Sequence, residues 1–292
     1  MKVIPLLLED ENQRITAQKA GLTDIVLQEM VLFPDNVHLH TAAFHAIVLL
    51  ARPLGGREGM LFHSAMINAS GIFSVRNMNG RNGIAVMLDS MRRFNYHEFL
   101  QAMGCWSMVN IALIPSQKTM LVKLGGISVT LTAMIMHPHS AEVQFRAAFA
   151  LINLVIPSEP LMVDSEVDAI QEHLGSVNDV TERELLDENV AQIVNLVVVA
   201  MKNFCTSEAI MNRCCLVLHN ICNVEDYHTT LLWTPNCYHM LEWALVNYRN
   251  DLVLQQSAQS TLQRLQLTLA NDSELRTRFV AAIRSQGHEQ RR

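Results

Sequence analysis

Apolar positions recur along this chain in a fixed order. Five anchors set the register: Met30 in L-Q-E-M-V-L-F-P, Met91 in M-L-D-S-M-R-R-F, Met134 in L-T-A-M-I-M-H-P, Met201 in V-V-A-M-K-N-F and Leu245 in E-W-A-L-V-N-Y. Three residues after each anchor the chain reads F-P-D-N-V-H-L-H, F-N-Y-H-E-F-L-Q, H-P-H-S-A-E-V-Q, F-C-T-S-E-A-I-M and Y-R-N-D-L-V-L-Q. The pattern predicts an apolar helix ending near an aromatic residue or His, a polar turn, and a second helix. The second helix carries the sharper signal. Thirteen residues past the anchors stand Ala43, Gly104, Ala147, Cys214 and Ala258, all small. Seventeen past stand Ile47, Met108, Leu151, Leu218 and Leu262, and twenty past stand Leu50, Ile111, Leu154, Ile221 and Leu265. These three positions share one helical face, which is therefore buried, and the small residue allows neighbouring helices to approach closely.

Anchors two and three lie 43 residues apart, and anchors four and five 44. A helix pair of this size cannot bury its apolar face alone, so the pairs stack on one another. Two intervals are longer. Anchors one and two are 61 residues apart, and the excess near residues 55–83 contains the turn-rich G-G-R-E-G and N-G-R-N-G. Anchors three and four are 67 apart, and the excess near 158–189 is acidic, with ten carboxylates against one Arg. Within it Val167, Ile170 and Leu174 would make one or two amphipathic turns, and Thr181 with Glu184 has the spacing of a capping box that restarts the array. Such charge-rich insertions are more often solvated excursions than docking elements. The tail from residue 284 to 292, R-S-Q-G-H-E-Q-R-R, reads as polar and frayed.

Composition supports this picture. The chain of 292 residues is 50% hydrophobic and 17% charged, enough apolar material for a core. Aromatic residues make up only 6%, and 16 Met favour helices over sheets. A net charge of −6 supplies no basic field, so neither nucleic acid nor a membrane surface is expected as a partner. Apolar runs such as Ile193–Met201 are too short to span a bilayer, and the start M-K-V-I-P-L-L-L-E-D turns acidic without a cleavage site. The six Cys then read as reduced thiols, and the expected location is cytoplasmic or nucleocytoplasmic.

Gly126 to Leu154, with Gly126, Ile127, Leu131, Gln144, Ala147, Leu151, Asn153 and Leu154 in register, resembles the armadillo repeat. The short aromatic-ended helices are also similar to the divergent armadillo repeats at the start of Roco-type kinases, although no P-loop and no kinase signature is present. The resemblance covers roughly residues 13 to 270. It implies an all-α, right-handed superhelical α-solenoid of five or six repeats, forming one domain over 1–292.

In armadillo proteins the second helix lines a concave groove, and in nuclear-import receptors W-x-x-x-N pairs there hold an extended peptide. Trp106-Ser-Met-Val-Asn110 matches that motif. The Asn alone recurs at Asn153 and Asn220, and Phe149 stands in the Trp slot. Arg146 and Arg213 share a slot twelve past their anchors. The resemblance therefore implies partner contact through Trp106, Asn110, Arg146, Phe149, Asn153, Arg213 and Asn220, and the two Arg favour an acidic element in the partner. The competing reading is that the Asn side chains bridge repeats and the apolar stripe is packing.

Cys215, His219 and Cys222 have a spacing that suits zinc. However, Cys214 and Cys222 occupy slots held elsewhere by small core residues, so no metal and no cofactor is expected. His137-Pro138-His139 reads as an exposed turn. With no catalytic motif in the chain, the expectation is a non-catalytic scaffold or adaptor for a protein or peptide. The alternatives are a chaperone-cofactor-like clamp on a folded domain and a self-associating structural array.

Overall fold

The computed structural model describes residues 8–52, 83–157 and 180–289, and all their regular structure is helical. The loop-like insertion at 55–82 and the acidic stretch at 158–179, with its amphipathic turn, lie outside the described residues. The chain divides into two compact units, 1–187 and 188–292, where the sequence reads as a single array.

The first unit contains α1 (Glu11–Lys19), α2 (Leu22–Leu32), α3 (Val37–Leu50), α4 (Gly83–Arg93), α5 (Glu98–Ile111), α6 (Pro115–Lys123), α7 (Gly126–Met136) and α8 (Ala141–Leu154). A longer helix, α9 (Glu182–Asn203), leads into the second unit. That unit contains α10 (Glu208–Cys222), α11 (His228–Trp233), α12 (Cys237–Asn247), α13 (Leu252–Asn271) and α14 (Ser273–Glu289). The predicted pairs are α2–α3, α4–α5, α7–α8, α9–α10 and α12–α13. Every anchored helix ends two residues past its anchor, and every second helix opens seven past it.

That regularity has local causes. The residue six past each anchor precedes the second helix, and in four of the five pairs its side chain caps the helix. Asn36, His97, Ser140 and Asp251 accept from the backbone N–H three residues on, at 3.0 to 3.3 Å. Thr181 and Glu184 make the predicted reciprocal box. Glu184 Oε2 accepts from Thr181 N at 2.7 Å, and Thr181 Oγ1 accepts from Glu184 N at 3.1 Å.

The buried face is the predicted one. Ala43, Ala147, Cys214 and Ala258 are fully covered, as are Ile47, Met108, Leu151 and Leu218. Gly104 is small for a visible reason: a Cβ there would lie 2.5 Å from the Met91 sulfur. The second helices pack side by side, α3 against α5 and α5 against α8 in the first unit, and α10 against α13 in the second.

A further slot holds each pair together. Ten residues past the anchors stand His40, Gln101, Gln144, Met211 and Gln255. Gln101 Nε2 donates to the Met91 and Phe94 carbonyls at 2.9 and 3.0 Å. Gln144 does the same to Met134 and His137, and Gln255 to Leu245 and Tyr248, at the same distances. One amide thus closes a carbonyl left open where the anchored helix stops and joins a backbone N–H already bonded to the turn carbonyl three residues on. His40 takes the slot differently. Its Nε2 donates to the Phe33 carbonyl at 3.1 Å, so Nδ1 is left to accept from the Ser90 hydroxyl at 2.6 Å.

The structure corrects the sequence reading in three places. Short helices α1, α6 and α11 precede three of the pairs, making them three-helix units. The break after each falls nine residues before the anchor, where Gly21, Gly125 and Asn236 take left-handed φ of 77°, 90° and 65°. Gln192 holds that position in the fourth repeat, and α9 runs through it unbroken. His137 is half-buried, not solvent-exposed, with Nε2 donating to the Asn95 carbonyl of the preceding turn at 2.8 Å. The tail from residue 284 is helical as far as Glu289.

Two outcomes follow from the clamp. Gln144→Ala leaves the Met134 carbonyl open, while His137 keeps the bond from Ser140 N, and its urea midpoint should show a loss of about 1–3 kcal/mol. His40 is held below its ordinary pKa of 6.5, chiefly by burial and in part by Arg93. The Phe33 and Met30 carbonyls and Asp35 oppose this. The unfolded chain therefore binds the proton more readily than the folded one, and stability falls as pH drops below about 6.5. His40→Gln, which installs the clamp of the other repeats, should flatten that part of the pH dependence in urea melts on either side of the pKa.

Candidate partner-binding face

The seven candidate residues fall into two groups. Trp106, Asn110, Arg146, Phe149 and Asn153 belong to the first unit, on the neighbouring helices α5 and α8, whereas Arg213 and Asn220 belong to α10 of the second.

In the first unit the two Asn serve the helix stack. Asn110 Nδ2 donates to the Val48 carbonyl of α3 at 3.1 Å, and Asn153 Nδ2 to the Val109 carbonyl of α5 at 3.4 Å. Both acceptors sit eighteen past their anchors, in the last turn of a second helix. Each is open because the chain tightens there: Arg52 N turns to Leu49 O, and Leu113 N to Asn110 O. Each Asn thus fills a vacancy on the preceding helix. Asn110 is 8% exposed and Asn153 half-buried. After the bridge, each carboxamide retains its oxygen and one hydrogen for any further partner.

The aromatic part of the face is preassembled. The guanidinium carbon of Arg146 lies 3.7 Å from the centroid of the Trp106 ring, and Arg146 Nε donates to Glu142 Oε1 at 2.8 Å. Phe145, which the sequence reading passed over, supports the same guanidinium at 5.2 Å and packs against Phe149 with centroids 6.2 Å apart. Three further apolar side chains on or just past these helices, Phe99, Leu113 and Ile156, are 49%, 53% and 45% exposed. Their signal was periodic. Leu113 and Ile156 both stand twenty-two past an anchor, two residues beyond the end of their helices. A recess of about 550 Å³ beside the α2–α3 turn, between Leu32 and His38, holds neither Trp106 nor Arg146.

In the second unit Arg213 is half-buried and its Nη1 donates to Asn212 Oδ1 at 3.2 Å, while Asn212 Nδ2 donates to Asp251 Oδ2 at 2.6 Å. Asn220 is half-buried as well. Arg264 replaces Asn in the fifth repeat and donates to Asn223 Oδ1. The thiols near Asn220 are core residues. Burial pushes Cys214 up to about 12 and Cys222 up to about 11, so both stay protonated. Among the described residues no three ligand-type side chains converge on a metal site, and no single described helix is long and apolar enough to cross a membrane.

No family model and no curated protein matches the sequence. Among solved structures, an engineered protein from the Northeast Structural Genomics Consortium has a TM-score of 0.59 at 17% identity, covering 91% of this chain and 88% of that one. A second engineered protein from the same consortium gives a TM-score of 0.44 at 17% identity, over 88% of this chain and 61% of that one. At this identity the first likeness speaks to an all-helical fold alone.

The bridges carry a stability consequence. Asn110→Ala should destabilise the protein by about 1–2 kcal/mol in urea unfolding, because the Val48 carbonyl loses the amide bonded to it. Asn153→Ala, with a longer bond at a wetter position, should cost less.

Proposed function

We propose that the chain is an armadillo-like α-solenoid working as a non-catalytic protein-binding scaffold, which holds a partner segment along the second-helix face of its first unit. The observation that carries this reading is the strip on α5 and α8. Trp106 and Phe149 stand at equivalent repeat positions, and exposed Phe99, Leu113 and Ile156 continue the apolar surface.

The strip differs from ordinary packing in one respect. The slots thirteen, seventeen and twenty past the anchors bury their side chains against neighbouring repeats, whereas these side chains keep open surface after every repeat contact is made. Apolar side chains left exposed along one face of neighbouring helices mark a surface for another molecule. Rigid aromatic side chains, already fixed, lose little entropy on contact, which suits them as anchors. Arg213 and Asn220 occupy the same slots in the second unit and are proposed as contacts of that unit by itself. A cytoplasmic or nucleocytoplasmic setting would suit the six unpaired thiols.

A clamp on a folded domain and a self-assembling array predict different sensitivities. Affinity capture with tagged protein should recover a partner that disappears with Trp106→Ala/Phe149→Ala and survives Leu252→Ser, a change at an exposed site of the second unit. If the partner is retained by the double variant and lost on removing α14, the clamp reading replaces this one. Concentration-dependent size in light scattering without a separate partner supports the array.

A further inference from the structure

Resting on the binding reading above, we infer that Arg146 sets the charge preference of the strip. Laid across Trp106, it closes the aromatic face to cations and offers its outer edge to a carboxylate. The bound segment is then apolar with an Asp or Glu, and Lys- or Arg-rich segments are rejected.

Three observations carry this. First, the Trp106 face is already occupied. With the guanidinium carbon 3.7 Å from the ring centroid, a cationic side chain from a partner gains that face only by displacing Arg146 into the same space. Second, Arg146 is held in place before anything binds. Its Nε is bound to Glu142 Oε1 at 2.8 Å, Phe145 lies 5.2 Å beneath it, and its side chain is only 18% exposed. Its two Nη nitrogens have no partner among the described residues and form the fork that receives a carboxylate end-on. Ordering costs for that contact are already met in the free protein. Third, the second-helix stripe of the first unit is otherwise free of acid. In the slots eight, twelve, fifteen, nineteen and twenty-two past the three anchors, the charged residues are Arg52, Arg146 and Glu142. Glu142 faces Nε and lowers the long-range attraction, but the two-bond contact at the Nη edge is a short-range effect and survives it. In a chain of net charge −6, a local surplus of cation on an apolar strip is a selective feature.

The test uses synthetic peptide pools in a Leu/Phe/Ser/Gly background, identical except for Asp, Asn or Lys at one central position, with affinity read by fluorescence anisotropy on the full chain. The expected result is an Asp pool bound about tenfold more tightly than the Lys pool, with the Asn pool between them. Arg146→Met keeps an apolar stem over Trp106 and should abolish the difference, while Arg146→Glu should invert it. Circular dichroism confirms that both variants fold. If the pools bind equally, or Lys is preferred, while Trp106→Ala/Phe149→Ala still abolishes binding, the role of Arg146 is overturned and the strip reading stands. If no pool binds, or the double variant binds as well as the parent, the strip itself fails and the Arg146 role fails with it.

Discussion

A helix that stops leaves carbonyls without partners, and a protein made of short stacked helices stops many times. Here the vacancies are filled by side-chain amides at fixed repeat positions. Gln101, Gln144 and Gln255 each close one open carbonyl at the end of the helix before them and add a second bond to a carbonyl of the turn. Asn110 and Asn153 each close one on the neighbouring second helix. The first set fixes the angle within a pair, and the second fixes the register between pairs. Apolar burial supplies most of the favourable free energy, but it is non-directional. The amides make one arrangement of these helices better than its neighbours.

The same bonds determine what the surface can present. Because α5 and α8 are pinned to each other and to α3, the side chains one position round from the core form an aligned strip. Arg146 of α8 reaches Trp106 of α5 across that seam. The turns are tied in parallel: His137 reaches the Asn95 carbonyl in the first unit, and Tyr248 reaches the Cys205 carbonyl in the second. In both cases a residue three past one anchor bonds a carbonyl four past the previous one. The proposed binding of a segment would gain from such fixed spacing, since side chains already ordered lose less on contact.

Much of the fold was legible because burial leaves a periodic trace. The small–large–large slots predicted the core face, and the aromatic or His after each anchor marked where helices end. The polar devices were harder to read. The glutamines were visible at a constant offset, yet a Gln in a helix has many ordinary explanations, and its two acceptors become evident only in three dimensions. Asn110 and Asn153 could be read either as bridges or as ligand contacts, and spacing alone does not separate these. The short helices α1, α6 and α11 were missed because α6 and α11 carry few turns of their own periodicity, and the left-handed Gly125 and Asn236 that end them look like common loop residues. Phe145 was passed over for lying one position off the expected stripe, although it supports the Arg146 stack.

The claim that buried amides hold the register can be examined in solution without any substitution. Hydrogen exchange of side-chain carboxamides, followed by nitrogen-edited NMR, compares Gln101, Gln144, Gln255 and Asn110 with the exposed Gln256, Gln259 and Gln263. The account predicts slow exchange and dispersed shifts for the first group and free-amide behaviour for the second. Uniformly fast exchange across both groups would contradict it.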